Sequence, residues 1–282
     1  MPHFKKAYLE ITNRCNLRCS FCPGTHRPPR TMTVEEFRIL TEKLRPVTEH
    51  LYLHIMGEPL LHPQLAELLS IAGEQGFRVN ITTNGTLLPG QDELLYTSPA
   101  VRKVSISLHS FEANERDGFA QYLLGCTDFA RQAAAAGKLI GLRLWNLDGD
   151  LAGENSLNEP ILTHLHQTFP DDWEPVRGGY ALAERIYLEY GERFEWPDLA
   201  AEEAHVQFCY GLRDQLGVLC DGTVVPCCLD HEGDIALGNL LRQPLEEILS
   251  SPRAAALYEG FSCRNPTEAL CRRCGYAGRF SR

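Results

Sequence analysis

The chain has 282 residues, 44% of them hydrophobic, enough for one large core with a small appended domain. Its net charge of −10, from 37 acidic and 27 basic residues, argues against non-specific binding to nucleic acid or to an anionic membrane. No apolar signal segment opens the chain and no run of about 18 apolar residues occurs, so neither secretion nor a membrane span is expected. Eleven cysteines in that setting point to a reducing, cytoplasmic compartment and to metal or redox chemistry rather than disulfides.

From the N-terminus to about residue 190, strand-like and helix-like stretches alternate, which predicts a parallel α/β architecture. Strands are expected at Tyr8–Thr12, Leu51–Met56, Arg78–Asn84, Lys103–His109, Leu139–Trp145 and Arg185–Tyr190. Helical patterns lie between them at 33–44, 63–76 and 129–137. Thr33 with Glu36 three residues on forms a capping-box signal for the first of these.

Side chains alternate faces along a strand. One face of the six carries polar groups: Tyr8, Glu10, Thr12, Tyr52, His54, Asn80, Thr82, Asn84, Ser105, Ser107, His109, Arg143, Arg185, Tyr187 and Glu189. The other face is almost wholly apolar. A sheet covered by helices on both faces would read as continuous apolar runs. The pattern therefore predicts a curled sheet, a partial (β/α)6 TIM-like barrel over residues 1–190, with helices outside and a polar lumen able to bind a ligand. Residues 191–205 read as a connector, and 206–282 as a small cysteine-rich auxiliary domain holding seven of the eleven cysteines.

The first strand runs into "CNLRCSFC", which places Cys15, Cys19 and Cys22 in a loop at the strand's C-terminal end, where parallel α/β proteins carry chemistry. Three thiols leave one position open on an iron–sulfur cube, or on a zinc ion awaiting a remote histidine. The segment resembles the signature of the radical S-adenosylmethionine (SAM) superfamily, with Phe21 as its aromatic residue. The resemblance implies a [4Fe–4S] cluster on the three cysteines and SAM on the fourth iron. It also implies reductive cleavage to a 5′-deoxyadenosyl radical that abstracts a substrate hydrogen.

Other stretches are similar to motifs of the same superfamily. In "MGEPLLHP", Gly57, Glu58 and Pro59 would meet the SAM amino group, and Met56 replaces the commoner first glycine. Asn84 ends a third-strand motif. Ser107 and His109 fall in the fourth-strand motif, His109 standing where an aspartate is common. Arg143 and Asn146 sit where the fifth strand often meets the SAM carboxylate or ribose.

In the last segment, "VLCDGTVVPCC" predicts a β-hairpin turning at Asp221-Gly222. The segment resembles the SPASM/twitch extensions of radical SAM enzymes. Two fully ligated clusters would need eight cysteines, and seven are present. One auxiliary [4Fe–4S] cluster is expected on Cys209, Cys227, Cys271 and Cys274, with Cys220 the alternative to Cys209 and zinc the alternative metal. Four protein ligands leave no iron free, which favours electron transfer over substrate ligation.

The expected activity is a radical SAM enzyme with two [4Fe–4S] clusters, served by a reductant such as flavodoxin or ferredoxin. Its substrate is a small molecule or a peptide; a 7-deazaguanine-type lyase is one conceivable case. Catalytic candidates are His54, Glu10, Glu189 and Cys220, the last as a hydrogen donor. Substrate-binding candidates are Tyr52, His54, Asn80, Arg185, Tyr187 and Glu189. The alternative is a non-enzymatic zinc or iron–sulfur electron-transfer protein.

Overall fold

A computed structural model describes residues 3–110, 118–147 and 158–280. The elements in chain order are β1 (Lys6–Leu9), α1 (Val34–Leu44), β2 (His50–Tyr52), α2 (Leu65–Glu74), β3 (Arg78–Thr83), α3 (Asp92–Thr97), β4 (Val101–Ser107), α4 (Phe119–Ala135), β5 (Leu139–Leu147) and α5 (Glu159–Thr168). Then follow β6 (Glu174–Val176), β7 (Gly179–Ala183), β8 (Ile186–Glu192), β9 (Gln215–Val218), β10 (Thr223–Val225), β11 (Gly238–Asn239), α6 (Leu245–Leu249), α7 (Pro252–Ser262) and α8 (Ala269–Arg272).

All described strands join one sheet in the order β11-β10-β9-β1-β2-β3-β4-β5-β8-β7-β6. The six expected strands are β1 to β5 and β8, mutually parallel in that order. The sheet is an open, partial TIM-like barrel. Two antiparallel extensions flank it. At one edge is the β6–β7 hairpin, which the sequence pattern did not signal; Pro175 within β6 is tolerated there because an edge strand need not donate on both sides.

At the other edge, β9 pairs with β1 in parallel, Lys6 opposite Gln215 and Leu9 opposite Val218. The cysteine-rich segment thus continues the barrel sheet rather than standing apart from it. Its hairpin turns as expected at Asp221-Gly222, with φ of +86° at Gly222, a conformation open to glycine.

The apolar face packs on the helices. Leu9, Leu51, Val79, Val104, Leu142 and Leu188 are buried against Phe37 and Leu40 of α1, Leu68 of α2, and Phe129 and Ala133 of α4. Thr33 caps α1 and Glu36 closes the capping box. β1 starts two residues earlier than expected and ends at Leu9, and β2 is cut to three residues. Glu10 N–H still bonds Val218 O (2.9 Å), continuing the pairing with β9, while the pairing with β2 ends at Tyr8, and the chain then builds the loops of the site. Among the described residues, no helix is long and apolar enough to cross a membrane.

Candidate functional site

The loop after β1 holds Cys15 and Cys22 exposed and Cys19 half-buried. Cys22 N–H donates to Cys19 O (3.1 Å), closing a tight turn that gathers the thiols. Asn84, at the end of β3, braces the loop: its Nδ2 donates to Asn16 Oδ1 (2.9 Å) and approaches Cys15 Sγ at 3.9 Å. Phe21 is 38% exposed, and its ring meets His109 at 4.8 Å between centroids.

The loop after β2 locks onto this one. Glu58 N–H donates to Arg14 O (2.8 Å). Gly57 has φ of +78°, and a Cβ there would overlap the Thr12 carbonyl oxygen, so only glycine permits the approach. The Glu58 carboxylate accepts from Asn84 N–H (2.8 Å) and Leu60 N–H (3.1 Å), and burial raises its pKa to about 6. Pro59 starts the short turn of helix that Glu58 caps.

Glu10, expected as a catalytic candidate, is a fully buried structural clamp. Arg27 Nη1 and Nη2 donate to its two oxygens at 2.8 and 2.7 Å. Met56 N–H (3.0 Å), Cys220 N–H (3.1 Å) and Cys220 Sγ (3.0 Å) complete its shell. One carboxylate therefore ties the cysteine loop, the β2 loop and the β9–β10 turn together. Cys220 is accordingly neither a lumen thiol nor a member of the second cysteine set.

A cavity of about 1420 Å³ runs through the lumen. Tyr52, His54, Ser107, His109, Arg143 and Asn146 line it, as does Cys22 from the cysteine loop. Burial, then the charges of Arg143 and Lys6, hold His54 down to about 3, so its ring is neutral at pH 7. Burial likewise lowers His109 to about 4, and its Nδ1 lies 3.0 Å from the Arg143 carbonyl. The Asn146 amide forms a reciprocal pair with Asn158 at 2.7 and 3.0 Å, which fixes its orientation at the cavity wall.

Four substrate candidates lie off the cavity lining. Asn80 bonds Leu51 O and Arg102 at the start of β3. Arg185 sits on the β7–β8 turn with φ of +64°, exposed, reaching Gly137 O. Tyr187 is half-buried on β8, paired in the backbone with Gly141 and Ala181. Glu189 forms an ion pair with Lys103 and lies against Gly141. The strand pattern assigned the face correctly but not the depth, since residues near the strand starts are used by the sheet itself.

Residues outside those candidates also line the large cavity, among them Tyr8, Trp145, Trp196, Cys228 and Tyr276, with Glu195, Asp198, Glu232 and Asp234. The connector closes over the cysteine loop, Trp196 Nε1 donating to Phe21 O (3.1 Å). Cys227 and Cys228 part in the turn after β10, Cys228 to the lumen and Cys227 to the second cysteine set, which their adjacency in the sequence does not specify.

Cys227 faces a second, small cavity with Cys209, Cys271 and Cys274. Glu203, accepting from Arg272 (2.9 Å) and Arg273 (3.3 Å), binds the incoming segment to α8 and so brings Cys209 to the others. Burial, and then the neighbouring thiols, raises the pKa of Cys227 and Cys271 and pushes Cys274 to about 11. Four thiols gathered in a buried site are a donor set that a metal would deprotonate and hold. Pro197, Gln215, Leu229 and Tyr276 line both cavities and form the wall between them.

Comparisons with known proteins agree with this layout. Residues 9–126 match the radical SAM superfamily, and residues 209–275 match the SPASM iron–sulfur cluster-binding domain. The tungsten-containing aldehyde ferredoxin oxidoreductase cofactor-modifying protein of Pyrococcus furiosus is 39% identical over 95 residues, 32% of this chain and 26% of that protein. The GTP 3′,8-cyclase of Chlorobaculum tepidum is 28% identical over 85% of this chain and 83% of its own length. Streptococcus suis SuiB bound to S-adenosylmethionine superimposes with a TM-score of 0.63 at 14% identity, over 99% of this chain and 75% of that one. The matched regions span only 26–32% of the first curated relatives' lengths.

Proposed function

The chain belongs to the radical SAM superfamily with a C-terminal SPASM domain, and from that premise we propose that it is a radical SAM enzyme acting on a small molecule held in the barrel lumen. Cys15, Cys19 and Cys22 would hold the SAM-binding [4Fe–4S] cluster. Cys209, Cys227, Cys271 and Cys274 would hold one auxiliary cluster. When bound, cluster and SAM supply a 5′-deoxyadenosyl radical that takes a hydrogen atom from the substrate. A low-potential donor of the flavodoxin or ferredoxin class would provide the electron.

The observation that carries this reading is the large cavity between the two cysteine sets: Cys22 opens on one side, and one layer including Leu229 and Tyr276 screens the four-cysteine site on the other. That arrangement suits electron exchange across the wall and keeps the second site closed to substrate. The chain's own residues set the scene. Gly57–Pro59 bring backbone groups against the cysteine loop, and His109 with Phe21 packs its rim. His54, neutral at pH 7, offers a hydrogen-bonding group that carries no charge of its own.

The four sulfurs line one small cavity, a donor set that suits either a fully ligated [4Fe–4S] cluster or a zinc ion, and metal analysis separates the two. The test is anaerobic reconstitution with iron and sulfide, followed by metal analysis and reduction in the presence of SAM. About eight irons per chain and release of 5′-deoxyadenosine are expected. Zinc as the bound metal, or no SAM cleavage under strong reductant, overturns the proposal.

A further inference from the structure

Among the described residues, Arg143 stands in the lumen as a cation with no ion-pair partner. Its guanidinium lies 3.6 Å from the centre of the Trp145 ring. Trp145 is fixed from behind by β8, where a Cβ on Gly191 would come within 2.6 Å of the indole, so glycine makes room for the ring. Arg143 Nε is buried without a hydrogen-bond partner. Glu189, the carboxylate whose charge reaches it, is already paired with Lys103.

Two further polar atoms on the same cavity are buried and unpartnered, His54 Nδ1 and Trp145 Nε1. Lys6 adds a second cation, over the Tyr8 and Tyr52 rings at 5.2 and 5.5 Å. A buried guanidinium stays charged and is costly to leave unpaired. Buried polar groups are ordinarily hydrogen-bonded, so three such atoms facing one cavity suit a polar ligand there. The charge of Arg143 reaches Tyr8, Cys228 and Tyr276, on the side toward the four-cysteine site.

We propose that Arg143, with His54 and Trp145 beside it, forms an oxyanion subsite that receives a carboxylate or phosphate group of the substrate, and that Arg143 serves the substrate rather than SAM. This rests on the lumen being the substrate chamber. It narrows the substrate to an anionic small molecule whose charged end is seated deep in the barrel, leaving the remainder near the cysteine loop. The planar guanidinium suits two parallel hydrogen bonds to such a group.

The test is equilibrium dialysis of the full chain, reconstituted with iron and sulfide and loaded with SAM but not reduced, against radiolabelled inorganic phosphate and, separately, acetate. Each is run at low salt and at about 0.5 M KCl, which screens exposed charges far more than buried ones. Saturable retention of one probe that survives high salt is expected, phosphate indicating a phosphorylated substrate and acetate a carboxylate. Arg143→Gln, and Arg143→Met as the variant that keeps a long side chain against Trp145, should each weaken retention about tenfold or more. SAM retention and iron content should stay at wild-type levels. Absence of saturable retention in the wild type overturns the proposal, as does unchanged retention in a variant with full iron content. A parallel loss of SAM in such a variant returns Arg143 to the cofactor and also overturns it. Retention needs no reductant, so failure of SAM cleavage with the anion still bound would refute the enzymatic reading and leave the subsite standing.

Discussion

The two cysteine sites are built in opposite ways. Cys15, Cys19 and Cys22 come from one eight-residue stretch, with Cys15 and Cys22 exposed and Cys22 on the lining of a large cavity. Cys209, Cys227, Cys271 and Cys274 come from three separated segments, none of them fully exposed, around a small cavity of their own. The first needs only a loop held at the end of β1, by Asn84 and by Gly57. The second exists only once the hairpin has joined β1 and α8 has been tied to residues 203–204. An open site can be local; a closed one requires the tertiary fold.

Cys19→Ala should abolish 5′-deoxyadenosine formation while iron falls from about eight to about four per chain; melting temperature should change little, because the loop is surface-mounted. Preserved SAM cleavage in that variant would sink the assignment of the open site. Cys274→Ala should show the reverse profile. Iron again falls by about half, but thermal stability drops sharply, since metal-binding energy at a site assembled from distant segments is folding energy. SAM cleavage should survive there, uncoupled from product. Equal melting temperatures for the two variants would erase the contrast.

Glu10→Gln tests the link between the sites. It removes one charge of a buried pair and leaves Arg27 uncompensated, at an expected cost of about 3 kcal/mol, read from the denaturation midpoint. A shift below a few tenths would show that the clamp is dispensable. The smallest effect concerns pH. His54 is held down to about 3 from 6.5. The unfolded chain therefore takes up a proton below pH 6.5 that the folded chain refuses, and stability falls as pH drops, by up to about 1.4 kcal/mol per unit. Between pH 6.5 and 5.5, His54→Gln should flatten the melting-temperature slope relative to the wild type; parallel slopes would mean that the imidazole is solvated.

Much of the fold was legible because its signals are periodic or local. The alternation from Tyr8 to Glu189 identified six parallel strands and their inner face, and Thr33 with Glu36 identified the start of α1. Depth within the barrel was not legible. Glu10, His54 and Asn80 share a face, yet one is a clamp, one lines the cavity and one secures the start of β3. Such differences depend on which loops return to each strand, and Arg27 and Cys220 reach Glu10 from 17 and 210 residues away.

By itself the sequence determined the chemistry-bearing loop, because three cysteines within eight residues meet wherever that loop is placed, and the polar lining, because a strand's period of two leaves no other face. Only the tertiary structure decided that Cys220 serves Glu10 while Cys209 joins the second set, that β9 extends the barrel sheet, and that Arg143, with no ion-pair partner among the described residues, lies over Trp145. Those outcomes depend on contacts between residues far apart in the chain, where burial and the competition for hydrogen-bond partners, rather than spacing, select the neighbour.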